Sequence, residues 1–325
     1  MSNHKINQLV LSGGGLLGIS YIGLFKYFEE NNTLSNIKSI TGCSAGAIFG
    51  SLLAVGYNSK ELDTIVKSMV FKDYLKINVD SLLNFIHTKG LESGKNLSIF
   101  INKCIKDKTG DENITFLQIQ EKYNIKLQIG VTNLTKSKFE LFNIDTTPNL
   151  SIIKAISASI AIPFLFEPIV IGDDIYCDGG LLDNLPMQEI AFKKTHTKIK
   201  VEKNNTNENN NNSIDNEDDS VDTTEDILDD TLTTIGFYLI NKTNNINKDN
   251  YKNISLSQYI NVITHTLSQN IIYNKTKIEK NNKNYKIITI DIPCDIMTFI
   301  KLNATHDDIN NIIDIAYTIT KNMLD

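Results

Sequence analysis

The first apolar run in the chain is short. Leu9-Val10-Leu11 lies between a polar leader and a glycine cluster, and a run of that length bounded by glycines predicts a buried strand. From Ile19 to Glu30 the apolar residues Ile22, Phe25, Tyr27 and Phe28 are available for packing and predict a helix, which Asn31-Asn32 ends. A second strand, Lys38 to Thr41, runs into another glycine turn and a helix reaching Val55. Two successive strand–turn–helix units predict a largely parallel sheet covered by helices. The expected fold class is α/β, a three-layer sandwich with a central, mostly parallel sheet.

Beyond this opening, Ser59 to Lys108 reads as helical and irregular, with Ser59 as an N-cap. Val79 to Ile86 gathers Leu82, Leu83, Phe85 and Ile86. That stretch reads as core or a packed cap, with a lid or interfacial surface as the alternative. Gly90–Gly94 is expected as a loop before a helix from Asn96 to Lys106. Leu127–Asn133 and Lys138–Phe142 alternate as strands, and Ile152–Ser159 is a short helix. Ile160–Pro168 is extended and stiffened by two prolines. Ile169–Ile171 and Ile175–Cys177 form a hairpin around Gly172-Asp173-Asp174, whose second arm ends in Asp178-Gly179-Gly180. A helix from Pro186 and a strand from Thr197 to Val201 should follow. Residues 203–226 are so poor in apolar side chains that they cannot offset their ordering entropy, and read as a disordered acidic, Asn-rich insertion. Helices at Ile227–Ile240 and Leu256–Lys277, a strand at Tyr285–Ile292 and a one-faced helix at His306–Met323 complete a single domain over residues 1–325.

Composition narrows the function classes. The net charge of −6 and the lack of a basic stripe argue against a nucleic-acid partner. Cys43, Cys104, Cys177 and Cys294 are scattered with no CxxC pair, which fits neither a disulfide scaffold nor a zinc site and suits a reducing compartment. No clustered metal ligands occur, and neither metal nor cofactor is expected. No run of about 18 apolar residues exists, and the apolar run near the N-terminus is too short for a signal peptide. A cytoplasmic protein, peripheral at membranes at most, is the expectation.

The chemistry centres on Gly42-Cys43-Ser44-Ala45-Gly46. A serine between two glycines at a strand-to-helix turn is the nucleophile-elbow pattern. A hydroxyl needs a base. His4, His87, His196, His265 and His306 sit at no strand end and beside no glycine turn, so each reads as incidental. Asp178 ends a predicted strand and precedes two glycines, which makes it the better base in a site dry enough to raise its proton affinity. The loop Gly13-Gly14-Gly15-Leu16-Leu17-Gly18 supplies unobstructed backbone N–H groups for an oxyanion. Its literal match to a dinucleotide fingerprint lacks the acidic residue at the end of the second strand, and no Gly-Lys-Ser/Thr follows for a P-loop. Cys43 and Cys177 each precede a candidate catalytic residue. They read as small buried fillers, with a redox pair as the alternative.

The ordered trio of glycine loop, serine turn and Asp178-Gly179-Gly180 resembles the patatin-like phospholipases. Ser157-Ala158-Ser159 with Pro163, Phe164, Phe166 and Pro168, and Asn184-Leu185-Pro186, resemble the segments that flank the family's Asp-Gly-Gly. The resemblance implies a lipid acyl hydrolase acting on phospholipid or lysophospholipid, with transient membrane-surface contact. It implies Ser44 as nucleophile, Asp178 as proton acceptor, and the amides of Gly14, Gly15 and Ala45 as the oxyanion hole. Gly13, Gly18, Gly42, Gly46, Gly179 and Gly180 support the motifs. Leu17 stands where many members carry arginine, a departure that bears on headgroup selection and not on the dyad. An acyltransferase using the same dyad, and a non-catalytic lipid-binding protein on the same scaffold, are the alternatives.

Overall fold

The computed structural model describes residues 6–74, 79–187, 233–240, 284–293 and 304–325, with isolated positions between 252 and 266. In chain order its strands are β1 (Gln8–Leu11), β2 (Ser39–Cys43), β3 (Gly90–Glu92), β4 (Lys126–Asn133), β5 (Lys138–Asn143), β6 (Phe164–Phe166), β7 (Ile169–Ile171), β8 (Asp174–Asp178), β9 (Thr234–Ile240) and β10 (Tyr285–Asp291). Its α-helices are α1 (Tyr21–Glu30), α2 (Ala45–Ala54), α3 (Ser59–Ser68), α4 (Val79–Thr88), α5 (Lys95–Thr109), α6 (Phe116–Tyr123), α7 (Ile152–Ser159) and α8 (His306–Leu324).

The central sheet has the order β10-β9-β1-β2-β4-β8-β7, with β5 also paired to β4. From β10 to β4 every pairing is parallel. β8 runs antiparallel to β4, and β7 antiparallel to β8. β1, β2, β4 and β9 are buried almost throughout, as strands covered on both faces are. Every residue of β2 is buried, and so is all of β9 except Ile240. The main core gathers Leu9, Phe25, Phe28, Ile40, Ile129, Phe237, Ile288 and Ile312. Helix α1 packs along α8, while α2 lies on β1, β2 and β4 and against α7 and α5. No helix among the described residues is long and apolar enough to cross a membrane.

Four expectations need correction. The helix expected over Ile227–Ile240 is a strand where it is described: Thr-Ile-Gly-Phe-Tyr-Leu-Ile is β9, paired on both sides. A short apolar run with two buried faces has no periodicity to separate strand from helix. The N-cap of α3 is Asn58, not Ser59, and it closes a capping box with Glu61. β3 was expected as loop, yet it pairs with β6. Helix α4, expected first as core, buries no residue at all. Helix α6 is an addition to the elements expected. The strand expected at Thr197–Val201, the insertion at 203–226 and most of Leu256–Lys277 lie outside the described residues.

Candidate active site

β2 delivers Ser44 at its carboxyl end, with backbone angles φ 51° and ψ −118°. A non-glycine residue held there carries strain of about 1–3 kcal/mol, which the surroundings must over-determine. They do so by close backbone packing. A Cβ at Gly42 would lie 2.2 Å from the Gly46 carbonyl oxygen, and one at Gly46 would lie 2.2 Å from that of Leu11. They also do so by hydrogen bonds. The Ser44 N–H donates to Ser159 Oγ at 2.9 Å, and Ser159 Oγ donates in turn to the Gly130 carbonyl at 2.7 Å. The Ser44 carbonyl accepts from the Ala47 and Ile48 amides as α2 begins.

Asp178 reaches Ser44 through strand register. It ends β8, whose direction is opposite to that of the parallel strands, so the gathering of parallel-strand carboxyl ends is not what brings it there. Val131 of β4 pairs with Asp178 on one side, and the preceding Gly130 pairs with Cys43 on the other. Ser44 and Asp178 therefore flank the same level of β4. Both are buried, and the Ser44 hydroxyl lies close enough to the Asp178 carboxylate to favour its ionised form. Asp178 Oδ1 accepts from the Gly180 amide at 2.7 Å and lies 4.0 Å from the Cys43 thiol. Its backbone is fixed by the Ala161 carbonyl, which accepts its N–H at 2.9 Å, and by Thr132 Oγ1, which donates to its carbonyl at 3.0 Å. Burial pushes the Asp178 carboxyl up to about 6, against the lowering effect of the neighbouring Ser44 hydroxyl and of the Gly180 amide. A carboxylate so placed is ionised at neutral pH and still basic enough to accept a hydroxyl proton in a dry site.

The glycine loop closes the third side. The Gly13 N–H donates to Asn184 Oδ1 at 3.0 Å, and Asn184 Nδ2 donates back to the Gly13 carbonyl at 3.2 Å. A Cβ at Gly13 would stand 2.4 Å from Asn184 Oδ1 and 3.0 Å from the Ser44 Cβ. From below, the Tyr21 hydroxyl donates to the Ser12 carbonyl at 2.6 Å, and the Leu239 amide donates to Ser12 Oγ at 3.0 Å. Gly14 is half-buried and Gly15 exposed, with φ 55° at Gly15. The amides of Gly14, Gly15 and Ala45 have no hydrogen-bond acceptor among the described residues. Ala45 opens α2, so its N–H belongs to the first helical turn, where the dipole favours negative charge. Leu17 is buried in the main core.

Ser44, Asp178 and the glycine loop thus converge. Of the histidines, His87 lies on exposed α4 and His306 faces the Lys67 carbonyl at 3.3 Å; the other three lie outside the described residues. Cys43 and Cys177 are buried and form no disulfide. Sequence reasoning assigned no role to Ser159, Asn184 or Tyr21, whose hydrogen bonds hold the turn and the loop. Ser159 and Asn184 were noted only as part of a resemblance.

A family model for patatin-like phospholipases matches residues 9–192, more than half of the chain, including Ser44, Asp178, the glycine loop, Ser159 and Asn184. The chain is 34% identical over 188 residues to the uncharacterized protein R571 of Acanthamoeba polyphaga mimivirus, covering 58% of this chain and 62% of that protein. It is 31% identical over 194 residues to a probable lipid hydrolase, 463L, of Invertebrate iridescent virus 6, covering 59% of this chain and 65% of that protein. It therefore spans just under two thirds of the length of these two relatives. Among solved structures, VipD from Legionella pneumophila is similar with a TM-score of 0.50 at 18% identity, over 98% of this chain and 67% of that one, a likeness of fold.

Proposed function

The chain belongs to the patatin-like phospholipase family, and we propose that it hydrolyses acyl esters of phospholipid or lysophospholipid through a Ser44–Asp178 dyad. The observation that carries this reading is the placement of Ser44 and Asp178, both buried, at the same level of β4, near enough for the hydroxyl to influence the carboxylate. Ser44 Oγ attacks the acyl carbonyl carbon while Asp178 takes the hydroxyl proton. The carbonyl oxygen becomes an oxyanion, held by the amides of Gly14, Gly15 and Ala45. Each such donor is worth about 10²–10³ in rate. Collapse of the intermediate breaks the ester C–O bond, and Asp178 returns its proton to the leaving alcohol. Water then attacks the Ser44 acyl ester, Asp178 accepts the water proton, and the second collapse releases fatty acid as the proton passes back to Ser44.

The test is fatty-acid release from phosphatidylcholine vesicles, together with hydrolysis of a soluble short-chain ester. Ser44→Ala and Asp178→Asn are each expected to lower both rates by about 10³-fold or more while the proteins stay folded. A fluorophosphonate probe should label wild type and not Ser44→Ala. A folded Ser44→Ala protein that keeps its activity would overturn the dyad.

A further inference from the structure

Helix α4 is built against the ordinary rule for a surface helix. Its apolar residues Val79, Leu82, Leu83 and Ile86 are spaced i, i+3, i+4, i+7 and fall within an arc of about 100°. That arc faces water: the four are 70%, 57%, 71% and 72% exposed. The opposite side carries Asp80, Ser81, Asn84, His87 and Thr88. Helix α4 runs on into β3, which pairs with β6, and its Phe85 ring lies tilted against Phe164 with ring centroids 6.3 Å apart.

Phe164 is itself exposed (57%) and sits at φ 69°, a conformation that a bulky residue adopts only under constraint. It joins the patch to the site. Ser159, which fixes Ser44, ends α7, and Ala161 holds the Asp178 amide. Phe164 follows Ala161 by three residues, a reach of at most about 11 Å. Phe164 therefore lies within a few residues of the segment that holds Ser44 and Asp178, and Phe85 joins the apolar stripe to it.

We propose that α4 and Phe164 form the surface by which the protein docks on a lipid–water interface, specifically that of zwitterionic phospholipid. The proposal rests on the lipid-hydrolase reading, since such a substrate must be drawn from an aggregate. The charge pattern selects the surface: α4 carries one carboxylate, Asp80, and no lysine, Lys89 just past its end turns its ammonium back onto the Ile86 carbonyl, and the whole chain is at −6, so no cluster of cations here would select an anionic membrane. The size of the patch selects against a second copy. Five side chains fall far short of the roughly 20–30 residues a side of a stable protein interface.

The chain has no tryptophan, so Leu83→Trp places a single fluorophore in the stripe. In the full chain, its emission is expected to shift to the blue on adding phosphatidylcholine vesicles. It should shift no further when phosphatidylserine is included, and should stay unchanged on raising protein concentration without lipid. The triple variant Leu82→Ser/Leu83→Ser/Ile86→Ser is expected to lose about tenfold or more in vesicle co-sedimentation and in vesicle hydrolysis, and to keep soluble-ester hydrolysis within about twofold. Docking is measured in the Ser44→Ala background, so that vesicles bound but never hydrolysed by wild type would sink the hydrolase reading alone. The docking proposal is overturned by no blue shift with phosphatidylcholine, by a shift only with phosphatidylserine, or by a shift with protein concentration alone. Equal vesicle binding by the triple variant would overturn it as well.

Discussion

The Ser44 turn and helix α4 are opposite in what they bury and what they leave to water. The turn buries polar groups among partners: the Ser44 amide donates to Ser159, its hydroxyl faces Asp178, and Asp178 accepts from Gly180. Helix α4 leaves four aliphatic side chains in water and buries none of its residues. Burying a polar group costs unless it is paired, and exposing apolar area forgoes its transfer energy. The turn accepts strain at Ser44 because a rigid frame fixes geometry. The helix forgoes core packing and retains a surface. Changes at the turn should therefore move both stability and rate on any substrate, whereas changes on α4 should move only events at lipid.

The largest separation between the two regions lies with Ser159, apart from the dyad itself. Ser159→Ala removes the acceptor of the Ser44 amide and the donor to Gly130 at once. A buried amide left without a partner costs about 1–3 kcal/mol, and the strained turn is free to relax. Soluble-ester kcat is expected to fall about 100-fold with KM nearly unchanged, and Tm should drop by several degrees. Ser159→Thr, which keeps a hydroxyl, should recover part of the rate. If Ser159→Ala lowers Tm and leaves kcat alone, Ser159 is a packing residue and not a positioning one.

A smaller effect is the pH response, again expected of the turn and not of the helix. Asp178 accepts a proton only when ionised, and its carboxyl sits at about 6 in the fold. Soluble-ester kcat/KM should be flat above that pH and fall about tenfold per unit below it. Stability runs the other way. The folded value lies above the ordinary 3.8, so the buried ionised form weighs against folding above pH 6 and that burden is relieved as pH falls towards 4. Asp178→Asn should then gain stability over wild type above pH 6, by about 3 kcal/mol at most, and lose the gain near pH 4. A stability difference that does not change with pH would show that Asp178 is not the group titrating.

What the sequence made legible follows from these physical causes. Gly42, Gly46 and Gly179 are forced by backbone contact and Gly13, Gly14 and Gly18 by side chains packed against them, so their spacing carried Ser44 and the loop. Asp178 was readable as a strand-end carboxylate, although what sets it beside Ser44 is antiparallel register, which local pattern does not encode. Ser159 and Asn184 act over separations of 115 and 171 residues and have no local signal. β9 was misread because its two buried faces erase periodicity. Helix α6 did announce itself, since Thr115 and Gln118 form a Thr-x-x-Gln capping box. The apolar cluster of α4 was visible, but a cluster states only that those side chains are apolar, not whether protein or water lies against them.

The smallest effect expected concerns the two cysteines beside the dyad, and it sharpens the contrast by showing how inert the frame of the turn is. A redox pair needs a thiolate. Burial, followed by the Asp178 charge, pushes the Cys177 thiol up to about 12, so only about 10⁻⁴ of it is ionised at pH 8. Cys43 is fully buried, with its sulfur 4.0 Å from Asp178 Oδ1, and a weak S–H donor there adds little to what the Ser44 hydroxyl and the Gly180 amide already give that carboxylate. Because Cys294 lies outside the described residues, the experiment uses a Cys294→Ser background. In it, hydrogen peroxide or N-ethylmaleimide at pH 8 should leave soluble-ester hydrolysis unchanged within about twofold. The further change Cys43→Ala/Cys177→Ala should cost no more than about threefold in rate, the loss coming from two small voids and not from chemistry. A rapid loss of rate with peroxide that dithiothreitol restores, and that the alanine pair abolishes, would instead make these two sulfurs a switch on the dyad.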